Sequence, residues 1–279
     1  METLGYYNGK YGELSEMTVP MLDRVCYFGD GVYDATHARN HKIYCLDEHV
    51  DRFFNSAGLL RMTVPHTKEE LKELLREMVS KVDADEQFVY WQLTRGTAPR
   101  NHAFPEAPAN LWIMLRPAPT QDMRVPVRLI TLEDTRFLHC NIKTLNLLPN
   151  VMAAQRAEEA GCDEAVLHRG ESVTECAHSN VHILKDGVFR THPTDHYILP
   201  GITRMRLIQL CHRLNIPVDE APFTLAELRA ADEILVTSAS TFCRAACELD
   251  GQPVGGKDPA LLKRIQDALD EDFHRETDL

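Results

Sequence analysis

A single lysine stands in an apolar stretch of the chain, HCNIKTLNLLPN (residues 139–150). Ile142 and Leu145 lie close to Lys143, the stretch contains no acidic residue, and its composition favours a helix. Such a lysine either lies along a surface with its ammonium in water or is a buried amine that can act as a nucleophile or base. The stretch alone leaves both interpretations open, and the surface position is the more common one.

Two turns rich in small residues could bind an anion. In ILPGITRMRL a Gly-Ile-Thr precedes a predicted helix, so the backbone N–H groups of Ile202 and Thr203 and the Thr203 hydroxyl are available to a ligand. In VTSAST, Ser238 and Ser240 offer hydroxyls and Ala239 offers a backbone amide. Together the turns would suit a phosphate, but an ordinary helix cap at Thr203 explains the first equally well.

Charged side chains at two further places could contact a polar ligand. Glu175 lies in the predicted strand SVTECAHSN, where it either points inward and needs a cationic partner or faces solvent. Arg100 and His102, in RGTAPRNHAF, are two residues apart and point the same way if the segment is extended. Two such donors could bind a carboxylate, whereas a solvated loop is the alternative.

The histidines and cysteines show no pattern that is typical of a metal site. The pairs His178/His182 and His192/His196 are each four residues apart, which on a strand is about 13 Å and too far for one ion. The eight cysteines are dispersed without a CxxC motif, so we expect reduced thiols and no bound metal.

Composition restricts the classes of partner. The chain has 279 residues with 42 acidic against 30 basic side chains, a net charge of −12, which argues against nucleic acid and anionic membranes as partners. No apolar run reaches about 18 residues, so no transmembrane helix is expected. The first residues, METLGYYNGKYGEL, lack the basic and apolar regions of a signal peptide, and we expect a cytoplasmic protein.

The pattern of elements predicts a mixed α/β protein of two domains. We place a smaller N-terminal domain at 1–117, a Pro-rich linker at 118–126 and a larger C-terminal domain, carrying Lys143, at 127–279. Predicted N-terminal elements are strands at 42–46, 87–96 and 110–117 and helices at 47–62 and 67–82, the last with a Thr67–Glu70 capping box. Predicted C-terminal elements are strand 127–132, helix 148–160, hairpins turning at Arg169–Gly170 and Asp186–Gly187, helix 200–214 and strand 233–241.

Several motifs follow one another in a characteristic order. They are YFGDGVYDATHARNHKIYCLDEHVDRFFNSAGLL, TRGTAPRNHAFP, IKTLNLLPNVMAAQRAEEAGCDEAVLH, VTECAHSNVHIL, ILPGITR and VTSAST. In this order the chain resembles the fold-type IV pyridoxal-phosphate transaminases, most closely the D-amino acid transaminases, over roughly residues 20–255. The resemblance implies their two-domain α+β fold and pyridoxal 5′-phosphate as cofactor. It also implies ping-pong exchange of an amino group between a D-amino acid, such as D-alanine, and a 2-oxo acid, such as 2-oxoglutarate.

The resemblance also implies roles for individual residues. Lys143 matches the lysine that carries the cofactor covalently, and Glu175 matches the acid that pairs with the pyridine nitrogen. The positions that match phosphate or ring contacts are Arg52, Leu199, Ile202, Thr203, Ser238 and Ala239. The carboxylate trap of D-specific members matches Tyr33, Arg100 and His102. In such enzymes the Arg and His come from the neighbouring subunit, which implies an obligate homodimer with shared active sites.

Other activities occur on the same scaffold and stay open at this point. They are branched-chain L-amino acid transamination, (R)-amine transamination and aminodeoxychorismate lysis, and a silent homologue that only binds the cofactor is a fourth possibility. The chain also departs from the family pattern, with Asp34 where Glu is expected, Ala239 in place of Thr, and His178 in a run that is usually rich in serine. These departures bear on affinity and substrate range more than on the type of reaction.

Overall fold

The computed structural model describes residues 2–278, which divide into two compact units. The N-terminal unit runs up to Thr120 and also includes Ile142–Asn146 and the chain from Phe273 on. The C-terminal unit consists of Gln121–Asn141 and Leu147–Asp272. The segment Ile142–Asn146, predicted to belong with the C-terminal half, therefore groups with the N-terminal unit.

The N-terminal unit contains one antiparallel six-stranded sheet. Its strands are β1 (Leu4–Tyr7), β2 (Lys10–Gly12), β3 (Gly31–Arg39), β4 (Lys42–Ile43), β5 (Glu86–Thr94) and β6 (Asn110–Pro117), in the spatial order β2-β1-β6-β5-β3-β4. Its helices are the short 3-10 helix Leu14–Glu16, α1 (Val25–Phe28), α2 (Leu46–Leu59) and α3 (Lys68–Lys81). Val50 and Phe53 of α2 are fully buried in one core with Val32, Val89 and Trp91 of the sheet.

The C-terminal unit contains a nine-stranded mixed sheet and the remaining helices. Its strands are β7 (Val127–Glu133), β8 (Glu164–Arg169), β9 (Ser172–Cys176), β10 (Asn180–Lys185), β11 (Val188–Thr191), β12 (Val218–Asp219), β13 (Glu233–Ser238), β14 (Phe242–Leu249) and β15 (Gln252–Pro253). The order is β12-β11-β10-β13-β14-β7-β8-β9, with β15 beside β14. Its helices are α4 (Leu148–Glu159), α5 (Ile202–Arg213) and α6 (Leu225–Ala230), while α7 (Pro259–Thr277) continues into the N-terminal unit.

Elements with strong local signals form as predicted. Thr67 and Glu70 make the expected capping box at the start of α3, each side chain accepting a hydrogen bond from the backbone N–H of the other residue. Asp186 and Gly187 both adopt positive φ between β10 and β11, the conformation that a two-residue hairpin turn requires. Long-range packing is therefore not needed to specify these two features.

Three local predictions were wrong. The strand predicted at 42–46 ends at Ile43, because Cys45 has φ +51° and α2 begins at Leu46. The hairpin predicted to turn at Arg169–Gly170 turns one residue later, since Arg169 pairs with Ser172. The helix-favouring composition of 139–147 also misled, since this stretch is not helical, whereas α4 at Leu148–Glu159, with a proline in its first turn, confirms the helix predicted at 148–160.

Candidate active site

Lys143 lies in an irregular segment that is hydrogen-bonded to the start of β3. The N–H of Tyr33 donates to the Lys143 carbonyl at 2.9 Å, and the N–H of Leu145 donates to the Gly31 carbonyl at 3.0 Å. Lys143 is half-buried, and its Nζ stands 4.3 Å from the centroid of the Tyr33 ring. The side chain therefore lies within cation–π distance of Tyr33, one of the predicted substrate residues.

A glycine allows this segment to come so close to the sheet. A Cβ on Gly31 would lie 2.4 Å from the Leu93 carbonyl oxygen and 2.6 Å from Cδ1 of Leu145. Both distances are shorter than non-bonded atoms tolerate, so any larger residue would displace either β5 or the segment that carries Lys143. The motif FGDGVY therefore positions the lysine through its second glycine.

Arg52 is buried and forms a fork with a carboxylate on β3. Its Nε donates to Oδ2 of Asp34 at 2.9 Å, and its Nη2 donates to Oδ1 at 2.7 Å. Nδ1 of His49 is also 2.7 Å from Oδ1 of Asp34. Burial alone would raise the pKa of Asp34, but Arg52 and the His49 contact hold it well below its usual range. Burial lowers the pKa of His49, so Arg52 is the main counter-charge.

Glu175 is buried on β9 and accepts hydrogen bonds from three groups. Nη1 of Arg136 donates to Oε1, while Nδ2 of Asn180 and the N–H of Leu199 donate to Oε2 at 2.8 and 2.9 Å. The solvent-facing alternative for this residue is therefore excluded. Burial raises the pKa of Glu175 to about 7, although Arg136 and the Leu199 N–H both lower it.

The two small-residue turns of the C-terminal unit meet. The Thr203 hydroxyl, at the start of α5, donates to the Ser238 carbonyl at 3.0 Å. Gly201 precedes α5 and brings no capping side chain, and the first helical turn, ITRM, contains no acidic residue. In the second turn the N–H of Thr241 donates to Oγ of Ser238 at 3.1 Å, and Ala239 is half-buried. Ile202 and Thr203 thus present helix-start amides beside a serine-rich turn.

Arg100 and His102 converge on one aromatic ring. Both lie exposed on the irregular segment between β5 and β6. Cζ of Arg100 is 5.1 Å from the centroid of the Phe28 ring, and the His102 ring is 5.1 Å from the same centroid. Both side chains therefore lie near Phe28, on an irregular segment and not on an extended strand.

Several charged residues of these clusters were not predicted from the sequence. They are Asp134, Arg136 and His49, of which Arg136 donates to both Asp134 and Glu175. The spacing of His49 and Arg52 on one helix was a usable signal, since residues three apart share a face. Within residues 2–278, no group of three or more His, Cys, Asp or Glu side chains could hold a metal ion, and no helix is both long and apolar enough to span a bilayer.

The fold and these clusters belong to a known class of enzymes. The family model for amino-transferase class IV matches residues 31–249, and the chain is a member of that family. It is 40% identical to the D-alanine aminotransferase of Listeria monocytogenes over 96% of this chain and 95% of that protein. It is 38% identical to the D-alanine aminotransferase of Staphylococcus haemolyticus, covering 95% and 96% of the two chains.

Solved structures of branched-chain aminotransferases share the same fold. The T.th. enzyme, solved with pyridoxamine 5′-phosphate, superposes with a TM-score of 0.90 at 26% identity, covering 98% of this chain and 94% of that chain. The enzyme from Thermoproteus uzoniensis, solved with norvaline, gives 0.89 at 25% identity and covers 98% and 95%. The mixed α/β fold predicted from the sequence is thereby confirmed.

Proposed function

We propose that this aminotransferase uses pyridoxal 5′-phosphate to exchange the amino group of a D-amino acid, such as D-alanine, with a 2-oxo acid, such as 2-oxoglutarate. The observation that carries the proposal is the identity of 38–40% to enzymes named D-alanine aminotransferase over nearly the whole chain. Branched-chain aminotransferases share the fold, with TM-scores of 0.89 and 0.90, but at 25–26% identity. L-amino acid transamination is therefore the second candidate.

The donors of the C-terminal unit fit a phosphate ester. The first amides of α5 and the turn after Ser238 offer hydrogen-bond donors, and the helix start adds a positive dipole. A phosphate dianion would be held by Ile202, Thr203, Ser238 and Ala239. Arg52, whose fork is oriented by Asp34, would contribute the cationic side chain at the same group. Leu199 would pack against the cofactor ring.

Glu175 fits a protonated ring nitrogen. Its carboxylate is buried, accepts a backbone hydrogen bond from Leu199, and has only part of one guanidinium as its counter-charge. A carboxylate in this setting gains from another N–H donor that carries positive charge. When bound, the cofactor supplies the electron sink for carbanion charge, and the ionised Glu175 keeps its ring nitrogen protonated.

Lys143 would hold the cofactor and move the proton. Its Nζ would attach the cofactor and, when free, would accept the proton from the substrate Cα and donate it again. The Tyr33 ring, 4.3 Å from Nζ, confines the amine to one direction. The side from which this amine approaches, together with the place of the α-carboxylate, selects one enantiomer.

Tyr33, Arg100 and His102 would bind the α-carboxylate of the substrate. The exposure of Arg100 and His102 suits a role toward a second copy of the chain, so the homodimer with shared active sites is part of this proposal. A cytoplasmic location is part of it as well, as expected from the sequence.

Replacement of the lysine tests the proposed chemistry. Lys143→Ala should abolish transamination in both directions, because neither covalent attachment nor proton transfer remains. Lys185→Ala, which removes an exposed lysine paired with Asp232, is the matched control and should keep wild-type turnover. Appreciable transamination by Lys143→Ala would refute the assignment.

A further inference from the structure

A buried arginine holds the backbone of the loop that carries Arg100 and His102. Nη1 of Arg24 donates to the Asn101 carbonyl and, at 3.4 Å, to that of Ala103, while Nη2 donates to the His102 carbonyl at 3.5 Å. Three consecutive carbonyls thus converge on one guanidinium. Arg24 itself is only 3% exposed, so it cannot act as a solvent-facing side chain of its own.

The same guanidinium is fixed by Asp30, one residue before β3. Nε of Arg24 donates to Oδ2 of Asp30 at 2.8 Å, and Nε of Arg95 donates to the same atom at 2.9 Å. Cζ of Arg95 lies 3.7 Å from the centroid of the Phe104 ring, at the far end of the loop segment. Asp30 therefore orients two arginines that contact residues 101–104. In the sequence, Asp30 precedes Tyr33 by three residues.

Phe28 contacts the side chains of the same loop. Its ring centroid is 4.8 Å from Cζ of Arg24 and 5.1 Å from Cζ of Arg100, and the His102 ring is 5.1 Å away. The loop tip is thus held twice, through its backbone by Arg24 and through its side chains by Phe28.

The base of the loop has a separate attachment. Oδ2 of Asp23 accepts hydrogen bonds from the Thr94 hydroxyl at 2.9 Å and from Nδ2 of Asn110 at 2.8 Å. These two residues are the last of β5 and the first of β6. Loss of the Arg24 side chain would therefore free the carbonyls of residues 101–103 while the base of the loop stays in place.

We propose that Arg24 is a positioning residue for the substrate-carboxylate site, acting through the backbone of residues 101–103 to aim Arg100 and His102. This inference rests on the proposed function, because it takes the carboxylate contact of these two residues as its endpoint. Arg24 itself touches neither substrate nor cofactor. Its loss should weaken the binding of every substrate that carries an α-carboxylate, amino acid and 2-oxo acid alike, and leave the proton-transfer step unchanged.

Steady-state kinetics of the holoenzyme test the proposal. Arg24→Met should raise KM for both D-alanine and 2-oxoglutarate by about tenfold or more, with kcat within about threefold of wild type. Bound cofactor and its absorbance should not change. Arg116→Met is the matched control, since Arg116 also packs over an aromatic ring of the N-terminal unit, Phe88, and should leave both KM values as they are.

A double-mutant cycle separates positioning from a general structural effect. In the Arg100→Ala, His102→Ala background, Arg24→Met should change KM by less than about twofold, because the groups it aims are gone. An equal factor in both backgrounds, or a KM for Arg24→Met within about twofold of wild type, would overturn the proposal. If Arg24→Met does not fold, Arg24→Lys decides. This variant keeps a charge beside Asp30 but cannot reach three carbonyls, so KM should rise about threefold, and an unchanged KM would overturn the proposal.

The wild type distinguishes this inference from the proposed function. A wild-type holoenzyme that fails to react with D-alanine refutes the proposed function. A wild type that reacts, with Arg24→Met indistinguishable from it, refutes the role of Arg24 alone.

Discussion

Two buried carboxylates, one in each unit, are each hydrogen-bonded to an arginine, but their pKa values are shifted in opposite directions. Asp34 on β3 receives both Nε and Nη2 of Arg52, and its pKa lies well below its usual range. Glu175 on β9 receives only Nη1 of Arg136, and burial raises its pKa to about 7. Both side chains are almost completely buried, so burial alone does not explain the difference.

The difference follows from how each guanidinium is shared. Arg136 gives Nε and Nη2 to Asp134, at 3.0 and 2.9 Å, and has one donor nitrogen left for Glu175. Arg52 instead gives its bidentate fork to Asp34. A carboxylate that receives a whole fork is stabilised as an anion more strongly than one that shares an arginine with another acid, and for Glu175 the shared arginine does not offset burial.

This difference suits the two carboxylate–arginine pairs to different roles. The Asp34–Arg52 pair is balanced in itself and keeps a guanidinium in one orientation, which suits a residue that anchors a phosphate. Glu175 receives one nitrogen of Arg136, whose other donors serve Asp134, which suits a residue that awaits a protonated ring nitrogen. The number of cationic donors for each carboxylate, more than the residue type, distinguishes the two sites.

Removal of the two arginines should give the largest difference in stability. Arg136→Met removes the guanidinium that Asp134 and Glu175 share, leaves Asp134 with Arg169 at 3.2 Å, and should lower the free energy of unfolding by about 3–5 kcal/mol. Arg52→Met leaves one carboxylate that still contacts His49, so its loss should be smaller. Urea denaturation of the cofactor-free protein measures both.

An exposed arginine provides the reference for this measurement. Arg124 bridges Asp267 and Asp270 at the surface, and Arg124→Met should cost less than about 1 kcal/mol. If Arg136→Met costs no more than this control, the guanidinium is not the counter-charge on which the cluster depends.

Neutralising each acid should separate rate from cofactor retention. Glu175→Gln should lower kcat by about a hundredfold with cofactor still bound, because an amide cannot stabilise a protonated ring nitrogen. Asp34→Asn should leave kcat near wild type and weaken cofactor affinity about tenfold, because Arg52 loses its orienting partner. Turnover and cofactor dissociation are measured on both variants, and equal losses of kcat would contradict the division of roles.

The two acids should also have opposite effects on stability as pH changes. The raised pKa of Glu175 means that the folded protein binds its proton more tightly, so stability falls as pH rises from 4.5 to about 7. The lowered pKa of Asp34 contributes stability that is present above pH 3.8 and is lost as pH falls further.

Calorimetry of the cofactor-free protein across pH 3–8 checks these signs. Glu175→Gln should remove a slope of up to about 1.4 kcal/mol per pH unit in the upper window, and Asp34→Asn should flatten only the acid limb. A Glu175→Gln variant that retains the wild-type slope would show that the carboxyl is already ionised throughout.

Features set by interactions between residues close in sequence could be predicted, whereas features set by distant residues could not. The α3 capping box and the Asp186–Gly187 turn are encoded within four residues, and both were predicted. The conformation around Lys143 was not, because its apolar neighbours fit a helix in isolation but are hydrogen-bonded to the start of β3, more than a hundred residues earlier in the chain.

The candidate site shows the same limit. The order of motifs indicated Lys143, Glu175 and Arg52, but gave no sign of Arg136 beside Glu175 or of His49 beside Asp34. Arg136 is 39 positions from Glu175, and Arg24 is 77 positions from Asn101, and neither pair lies within a recognisable motif. Charge sharing between Asp134 and Glu175 depends on the sheet that brings them together, so no periodicity in the sequence could predict it.

The central claim is that the enzyme acts on D-amino acids, and a half-reaction tests it most directly. The holoenzyme is mixed separately with each enantiomer of alanine and of glutamate, without a 2-oxo acid, and the absorbance of the cofactor is followed. We expect the absorbance to change with the D-enantiomers and to stay constant with the L-enantiomers. A reaction with the L-enantiomers alone would contradict the claim and favour the branched-chain type of activity.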